Sequence, residues 1–379
     1  MKQVDPLTRK ITWRMPAVKI CEAAALKPCV HAFCRARAKL SRYTAVNTLS
    51  KGKAGVTLRF LKHADNKSDG FLLLDQGEKE LHVYLIDGGL ATGESFSALL
   101  RLRESILQAN GLANKVHSPR YKLHVTLLIS HFHIDHVNDL LHNVLPCRKF
   151  LRVTAAYFGA PSVFTKDTNH FTLHNGDLSH RPNFLRIAAC YQPMMEKHVF
   201  AFGESGTLPL QNGKIEFFMP PKDWGEKQTA DFIAEYYQQN DPKKVYESLS
   251  VGVVNANSLW MRITSRGQSL LLTGDVTKRF DDKEEAMNQV IAYYGEKLRS
   301  HVVKMPHHGL GRNQTVALIK AHLLIPGEHA CVVLTGNKGE EIAGDTLREY
   351  DLPFIGNNQG EIEFSFTEGG LIRTAKGAN

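Results

Sequence analysis

The stretch Ser130-His131-Phe132-His133-Ile134-Asp135-His136 follows directly on the apolar run Val125-Thr126-Leu127-Leu128-Ile129, so three imidazoles and one carboxylate fall within six positions at the end of a strand-length segment. A strand leading into a ligand loop is a rigid way to hold a metal ion. His131 and His133 lie two apart, and on an extended chain they project to one side and can chelate one ion. Asp135 and His136 come next, where the chain turns into a helix through Val137, Leu140 and Leu141, placed to face a second ion. Imidazole mixed with carboxylate suits zinc, manganese or iron, and the set reads as a two-metal site. A loop merely rich in histidine is the plain alternative; four ligand-type side chains in six positions weigh against it.

At 379 residues with 43% hydrophobic content, the chain can bury the core of a large α/β domain and still carry an extension. It contains no run of 18 apolar residues, which excludes a membrane-spanning helix and predicts a soluble protein. The formal charge of +9 is localised: residues 1–52 hold 11 Lys/Arg against 2 acids, leaving 36 of each sign in the remainder. The expected organisation is a basic N-terminal extension over 1–52 and a folded body over 53–379. The extension is compatible with a solvated tail, an organelle-targeting segment or a polyanion-binding segment. Lys19 and Glu22 interrupt its one apolar candidate for a secretory signal, and its shortage of acids suits a mitochondrial or plastid transit peptide better. Cys21, Cys29 and Cys34 cluster there with His31, but without the short C-x2-C clip of common zinc modules. Cys147, Cys190 and Cys331 sit among apolar neighbours and read as buried free thiols, favouring a reducing compartment and a cytoplasmic location.

Strand-like runs begin after Gly55: Val56–Leu61, Phe71–Leu74, and Leu81–Ile86, which ends in the turn Asp87-Gly88-Gly89. A helix is expected from Ser95, with Phe96, Leu99, Leu100, Arg103, Ile106 and Leu107 on one mostly apolar stripe until Asn110-Gly111. Between residues 150 and 220, strand-like pieces recur at Leu151–Phe158, Phe184–Ala189 and Lys214–Phe218. His170, His174, His180 and His198 lie among them, and none is singled out as a ligand. A helix is expected over Glu226–Gln239, followed by the runs Val251–Val254 and Leu259–Ile263, then a hairpin-like return Ser269–Thr273 into Gly274-Asp275. After a helix carrying Ala286, Val290, Ile291, Tyr294 and Leu298, the buried-looking strand His301–Met305 presents Pro306-His307-His308-Gly309. The pattern alternates once more through Ala330–Leu334, a helix near Gly344–Tyr350 and Glu361–Phe366. No internal repeat is evident.

In chain order, Ile86-Asp87-Gly88-Gly89, His131-x-His133-x-Asp135-His136, Asn255-x-Asn257-Ser258, Leu272-Thr273-Gly274-Asp275 and Pro306-His307-His308-Gly309 resemble the metallo-β-lactamase superfamily. Within it they are most similar to the ComEC-like branch of DNA-uptake nuclease domains and related phosphodiesterases. The resemblance spans residues 53–370 and implies an α/β (α+β) protein with a four-layered αββα sandwich over 53–379. It implies two divalent metal ions, with zinc and manganese favoured and iron an alternative. His131 and His133 would hold the first ion, Asp135, His136 and His308 the second, and Asp275 would bridge them. Asp87 would support the ligand loop by hydrogen bonding. His307 would contact the substrate and share the catalytic role with Asp135, while Asn255, Asn257 and Ser258 would face the substrate. The branch does without the mid-chain histidine that β-lactamases, glyoxalases and lactonases use. Departures are Lys67-Ser68-Asp69-Gly70, where the branch favours Gly-Asp, Val137-Asn138-Asp139 in place of a glycine-containing sequence, and the absence of the branch's transmembrane channel.

The expected activity is that of a free-standing binuclear phosphodiesterase, in first place a nuclease. Two cations would lower the pKa of a bridging water so that hydroxide attacks the phosphodiester, and His307 would stabilise the developing charge or protonate the leaving oxygen. The basic arm would add phosphate contacts to DNA or RNA. Two rival readings are a metallo-hydrolase of a small phosphodiester, thioester or lactone, and a non-enzymatic nucleic-acid-binding protein. The complete set of ligand-type residues counts against the latter.

Overall fold

The computed structural model describes residues 43–64, 68–159, 177–238, 251–276, 284–309, 313–335, 337–357 and 360–377. Two mixed sheets carry the fold. The first contains β1 (Thr44–Ala45), β2 (Gly55–Phe60), β3 (Phe71–Gln76), β4 (Leu81–Ile86), β5 (Tyr121–Ile129), β6 (Leu151–Gly159), β7 (Glu196–Phe200), β15 (Gly360–Thr367) and β16 (Gly370–Gly377). Its order is β16-β15-β2-β3-β4-β5-β6-β7, with β1 pairing beside β5. The second contains β8 (Ser205–Leu210), β9 (Gly213–Phe218), β10 (Trp260–Ser265), β11 (Gln268–Leu272), β12 (Val302–Lys304), β13 (Cys331–Leu334) and β14 (Phe354–Gly356), in the order β14-β13-β12-β11-β10-β9-β8.

The central strands are apolar at successive positions because both of their faces are covered. Leu85 and Leu127 face one core while their neighbours Ile86 and Leu128 face another. In the second sheet Leu270 and Leu272 point to the core between the sheets, and Leu271 points away from it; Val302 and Val303 divide in the same way. Outside the first sheet pack α1 (Glu94–Ala109), α2 (Ile134–Asp139) and α3 (Asp177–Tyr191), through Leu99, Leu107, Val137, Phe184 and Ala188. Outside the second pack α4 (Lys222–Gln238), α5 (Val251–Ala256), α6 (Glu285–Tyr294), α7 (Asn313–Leu318) and α8 (Asn337–Glu349), contributing Trp224, Ala256, Met287, Val316 and Leu347. Helix, sheet, sheet and helix thus form the four layers that the resemblance implies. Among the described residues no helix is long and apolar enough to cross a membrane.

The two sheets are built alike. In the first, the antiparallel strands β2, β3 and β4 lead into β4, β5, β6 and β7 running parallel. In the second, the antiparallel strands β9, β10 and β11 lead into β11, β12, β13 and β14 running parallel. This duplication of topology is invisible as a sequence repeat. Carboxyl ends of parallel strands are where open α/β sheets place their ligands, and both sheets turn such ends to the same edge.

Several expectations are corrected. Phe184–Ala189 is not a strand but part of α3. Phe184 and Ala188 are both buried and lie one helical turn apart, a spacing that a short apolar run cannot distinguish from strand. Val251–Val254 forms the start of α5. The helix expected over Glu226–Gln239 starts earlier, at Lys222, and Gln239 lies outside the described residues. Cys147 is half-buried and Cys190 exposed, leaving Cys331 as the buried thiol of the three. Residues 44–49, which the charge boundary assigns to the extension, join the body: β1 pairs with β5, Val46 is buried in the helix-side core, and Asn47 donates from Nδ2 to Leu81 O at 2.8 Å. A charge boundary marks where basic residues thin out, and not where the chain becomes buried. Residues 1–42, with Cys21, Cys29, His31 and Cys34, lie outside the described residues, as do Lys67, His170 and His174.

Candidate metal centre

Four strand ends converge. Asp87 follows β4 and Ser130–His136 follow β5, its parallel neighbour, so the Asp87 carboxylate lies beside Ser130. Its Oδ1 accepts the Ser130 N–H at 2.8 Å, and its Oδ2 accepts the Ser130 hydroxyl at 2.7 Å. Asp275 follows β11, and His307 and His308 follow β12, again a parallel pair. The two sheets are laced together here. Leu259 N–H, before β10, donates across to Ser130 O at 2.8 Å, and within the second sheet Asp275 N–H donates to Ser258 Oγ at 3.1 Å. Gly274 sits in this seam at φ 57°, where a Cβ would meet Ser258 Cβ at 2.7 Å and Ser130 Cβ at 3.2 Å. Only glycine fits so close an approach.

Six non-glycine residues among those described have positive φ, and three of them are Asp87, His307 and His308, at 51°, 50° and 57°. Such conformations cost free energy and persist where the surroundings over-determine them, commonly at functional sites.

The donor atoms are close-set. His131 Nε2 and His133 Nδ1 face each other at 3.0 Å. Around Asp275 Oδ2 stand His308 Nε2 at 3.2 Å and His136 Nε2 at 3.4 Å, and His308 Nε2 is also 3.3 Å from Asp135 Oδ2. Four ligands about 2.0–2.1 Å from one tetrahedral ion lie about 3.3 Å from each other. The observed spacings match that figure, and His136 Nε2 makes no hydrogen bond among the described residues. Asp69, His136, Asp275 and His308, all buried, each offer an atom within 4.8 Å of the others.

An outer layer holds the imidazoles. His136 Nδ1 is 2.9 Å from Asp87 Oδ2, and His308 Nδ1 is 3.2 Å from Asp69 Oδ1, so a carboxylate backs each ring on the side away from Asp275. Asp69 Oδ2 in turn meets Lys304 Nζ at 2.5 Å, and the same ammonium reaches Asp275 Oδ1 at 3.4 Å.

Burial pushes every imidazole here towards the neutral form, and the carboxylates decide which of them resist. His131 stays well below 6.5 through burial and its neighbours His136 and His133. Burial brings His133 down to about 4 despite the pull of Asp135. These two rings are neutral, with lone pairs available. His307 is also lowered by burial, so it offers a neutral ring. For His136, burial is outweighed by Asp275 and Asp87; for His308, it is outweighed by Asp275 and Asp69; both stand well above 6.5. Burial would raise Asp275, yet His308, His136 and Lys304 hold it well below 3.8. In the metal-free chain two imidazolium ions therefore supply positive charge among the carboxylates. Neutral nitrogens on one side and an Asp/His cluster on the other fit the donor preferences of zinc, manganese or iron.

The structure brings together His131, His133, Asp135, His136, Asp275, His307 and His308, with Asp87 behind them. Ser258 serves the seam through Asp275 N–H, and its own hydroxyl donates to Asn255 O at 2.8 Å. Asn255 Oδ1 and both amide atoms of Asn257 are buried and make no hydrogen bond among the described residues. His180 lies in α3; His198 lies on β7, stacked on Tyr157 at 4.2 Å. Sequence reasoning missed Asp69 and Lys304. Their signals are an aspartate in the loop that departs from the branch pattern, and a lone charge in an otherwise apolar strand.

No protein-family model matches the chain, and no curated protein matches it. Solved structures similar to it include a long-form RNase Z from yeast, at 9% identity and a TM-score of 0.41, covering 86% of this chain and 50% of that one. Also similar are MEM-A1, a subclass B3 metallo-β-lactamase isolated from a soil metagenome library (12% identity, TM-score 0.32, 79% of this chain and 96% of that one), and AidC, a dizinc quorum-quenching lactonase (11%, 0.28, 82% and 80%).

Proposed function

We propose that this chain is a metal-dependent hydrolase of phosphodiesters, with nucleic acid as the favoured substrate. The observation that carries the reading is the set of imidazole and carboxylate atoms gathered at ligand spacing around Asp275 Oδ2. In this reading His131 and His133 would hold one divalent ion and Asp135, His136 and His308 another, with Asp275 as a further ligand. Two such ions, when bound, would make a water nucleophilic near neutral pH and neutralise phosphoryl oxygens as charge builds.

The chain's own residues prepare the cleft. Asp87 orients His136, and Asp69 orients His308. His307, 14% exposed and with Nε2 4.0 Å from Asp275 Oδ2, stands where a leaving oxygen can take a hydrogen bond from its neutral ring. Two divalent cations with Lys304 would offset Asp69, Asp87, Asp135, Asp275 and one hydroxide, so that an anionic phosphodiester would meet no net negative charge. The basic residues of 1–52 would add salt-dependent phosphate contacts.

Purified protein supplied with manganese or zinc is tested on single- and double-stranded DNA and RNA, beside His131→Ala and Asp275→Ala. Cleavage by the wild type that both substitutions abolish is the expected result. A wild type that binds about two ions and cuts none of these polymers refutes the nuclease reading and moves the search to small phosphodiesters, thioesters and lactones.

A further inference from the structure

Lys304 is the last residue of β12, a strand buried at every position, and it is fully inaccessible. Placing an ammonium there opposes the local pattern, since Val302 and Val303 beside it fill the two cores. A buried cation is tolerated only where charges and dipoles replace its water. Lys304 Nζ finds three such partners: Asp69 Oδ2 at 2.5 Å, Gly274 O at 3.2 Å and Asp275 Oδ1 at 3.4 Å. Its inaccessibility excludes direct contact with a substrate phosphate.

We propose that Lys304 is a positioning residue for the metal centre, a fixed internal cation that holds Asp69 and Asp275 by their outer oxygens. Asp275 then turns Oδ2 alone to His136 and His308, and Asp69 turns Oδ1 to His308 Nδ1. One ammonium thereby sets the rotamer of the Asp275 carboxylate and, through Asp69, the ring plane and tautomer of His308. Asp69 is accordingly the outer carboxylate of a Lys304–Asp69–His308 chain and not a ligand, even though its atoms lie within the buried cluster. The inference rests on the metal-centre half of the proposed function and not on the phosphodiester half, because its readout is metal binding.

The test is calorimetric titration of the full-length, metal-stripped chain with manganese or zinc, comparing wild type, Lys304→Met, Asp69→Asn and the double variant. Outer partners of metal ligands typically contribute about 10- to 100-fold in affinity. Lys304→Met is expected to weaken the ion on Asp135, His136 and His308 by that factor and the ion on His131 and His133, which shares only Asp275, by less. The double variant should recover part of the loss, because Asp69→Asn removes one of the two carboxylates left uncompensated and keeps an acceptor for His308 Nδ1, while Asp275 stays unclamped. Affinities for both ions within about two-fold of wild type in Lys304→Met would reduce the lysine to a structural ion pair and overturn the inference. So would loss of a whole ion equivalent in Asp69→Asn, which would make Asp69 a ligand. Should Lys304→Met fail to fold, Lys304→Gln is titrated in its place: one ion weakened by about 10- to 100-fold supports the positioning role, and affinities for both ions within about two-fold of wild type overturn it.

Discussion

Asp87→Ala measures how much of the centre's order depends on one carboxylate outside the proposed ligand set. The substitution removes acceptors from Ser130 N–H, Ser130 Oγ–H and His136 Nδ1, at 2.8, 2.7 and 2.9 Å. The serine hydroxyl can turn to His131 Nδ1, 3.0 Å away, so its share is partly recoverable. The imidazolium cannot turn. Breaking a buried ion pair by removing one partner costs about 3–5 kcal/mol. Alanine must also adopt the left-handed backbone of residue 87, at φ 51°, for about 1 kcal/mol more. The metal-free variant should therefore be about 4–6 kcal/mol less stable, a large part of the roughly 5–15 kcal/mol typical of a domain. Asp87→Asn keeps the shape, one acceptor oxygen and tolerance of that backbone, and should lose about 2–4 kcal/mol. Urea unfolding of the metal-free proteins, followed by circular dichroism, gives these differences, and metal titration should show affinity reduced about 10- to 100-fold in both variants. A loss below about 1 kcal/mol in Asp87→Ala, with metal affinity unchanged, would refute the role of Asp87 in holding His136.

Three other outcomes are expected. The metal-free chain should be most stable at about pH 6.5. His136 and His308, raised above 6.5, contribute stabilisation that is fully present below that value and lost as pH rises through their folded values. His131, His133 and His307, lowered below 6.5, protonate more readily in the unfolded chain and so cost stability as pH falls from 6.5, and Asp69, Asp135 and Asp275, held below 3.8, lose their contribution at lower pH still. A melting temperature that climbs steadily from pH 6 to 9 would contradict this; titrations at pH 7 in buffers of different ionisation enthalpy should show proton release as metal binds. Gly274→Ala should cost about 1–3 kcal/mol in thermal unfolding, since a Cβ there collides with Ser258 at a backbone angle of φ 57°; an unchanged melting temperature would mean that the seam yields. Arg103→Lys should cost about 2–3 kcal/mol by urea unfolding, because one ammonium cannot serve Tyr121 O, Val116 O and Ser118 O, which the guanidinium meets at 2.8, 2.7 and 3.0 Å; full stability of the lysine variant would argue against that clamp.

Arg103 illustrates what periodicity can and cannot reveal. Its place on the buried stripe of α1 is legible, since it falls at helical spacing among Leu99, Ile106 and Leu107. Its clamp on the segment before β5 is not, because those carbonyls become neighbours only after the chain has turned back. Phe184–Ala189 fails for a different reason: six residues with apolar ends satisfy both periods, and only the packing of Phe184 and Ala188 into the helix-side core decides between them. The strand ends whose two faces are both covered, Val83–Ile86 of β4 and Leu127–Ile129 of β5, are legible as continuous apolar runs for the same reason that they lie in the middle of the molecule.

The centre divides along the same line. His131, His133, Asp135 and His136 are close in sequence, so the local chain alone brings their donors together, and strand-end turns mark Asp87, Asp275 and His308. Asp69 has no local partner; its hydrogen bond to His308 spans 239 residues. Lys304 is likewise informative only when the sheet register shows Gly274 and Asp275 beside it. Both imidazoles facing Asp275 Oδ2 are nevertheless backed in the same manner, His136 by Asp87 and His308 by Asp69. The two sheets, each with an antiparallel arm feeding parallel strands, thus each present an imidazole to one shared carboxylate. Such symmetry of roles without symmetry of sequence is expected when the atoms that matter are fixed by topology, and it makes Asp69, more than any further histidine, the counterpart of Asp87 in holding the site.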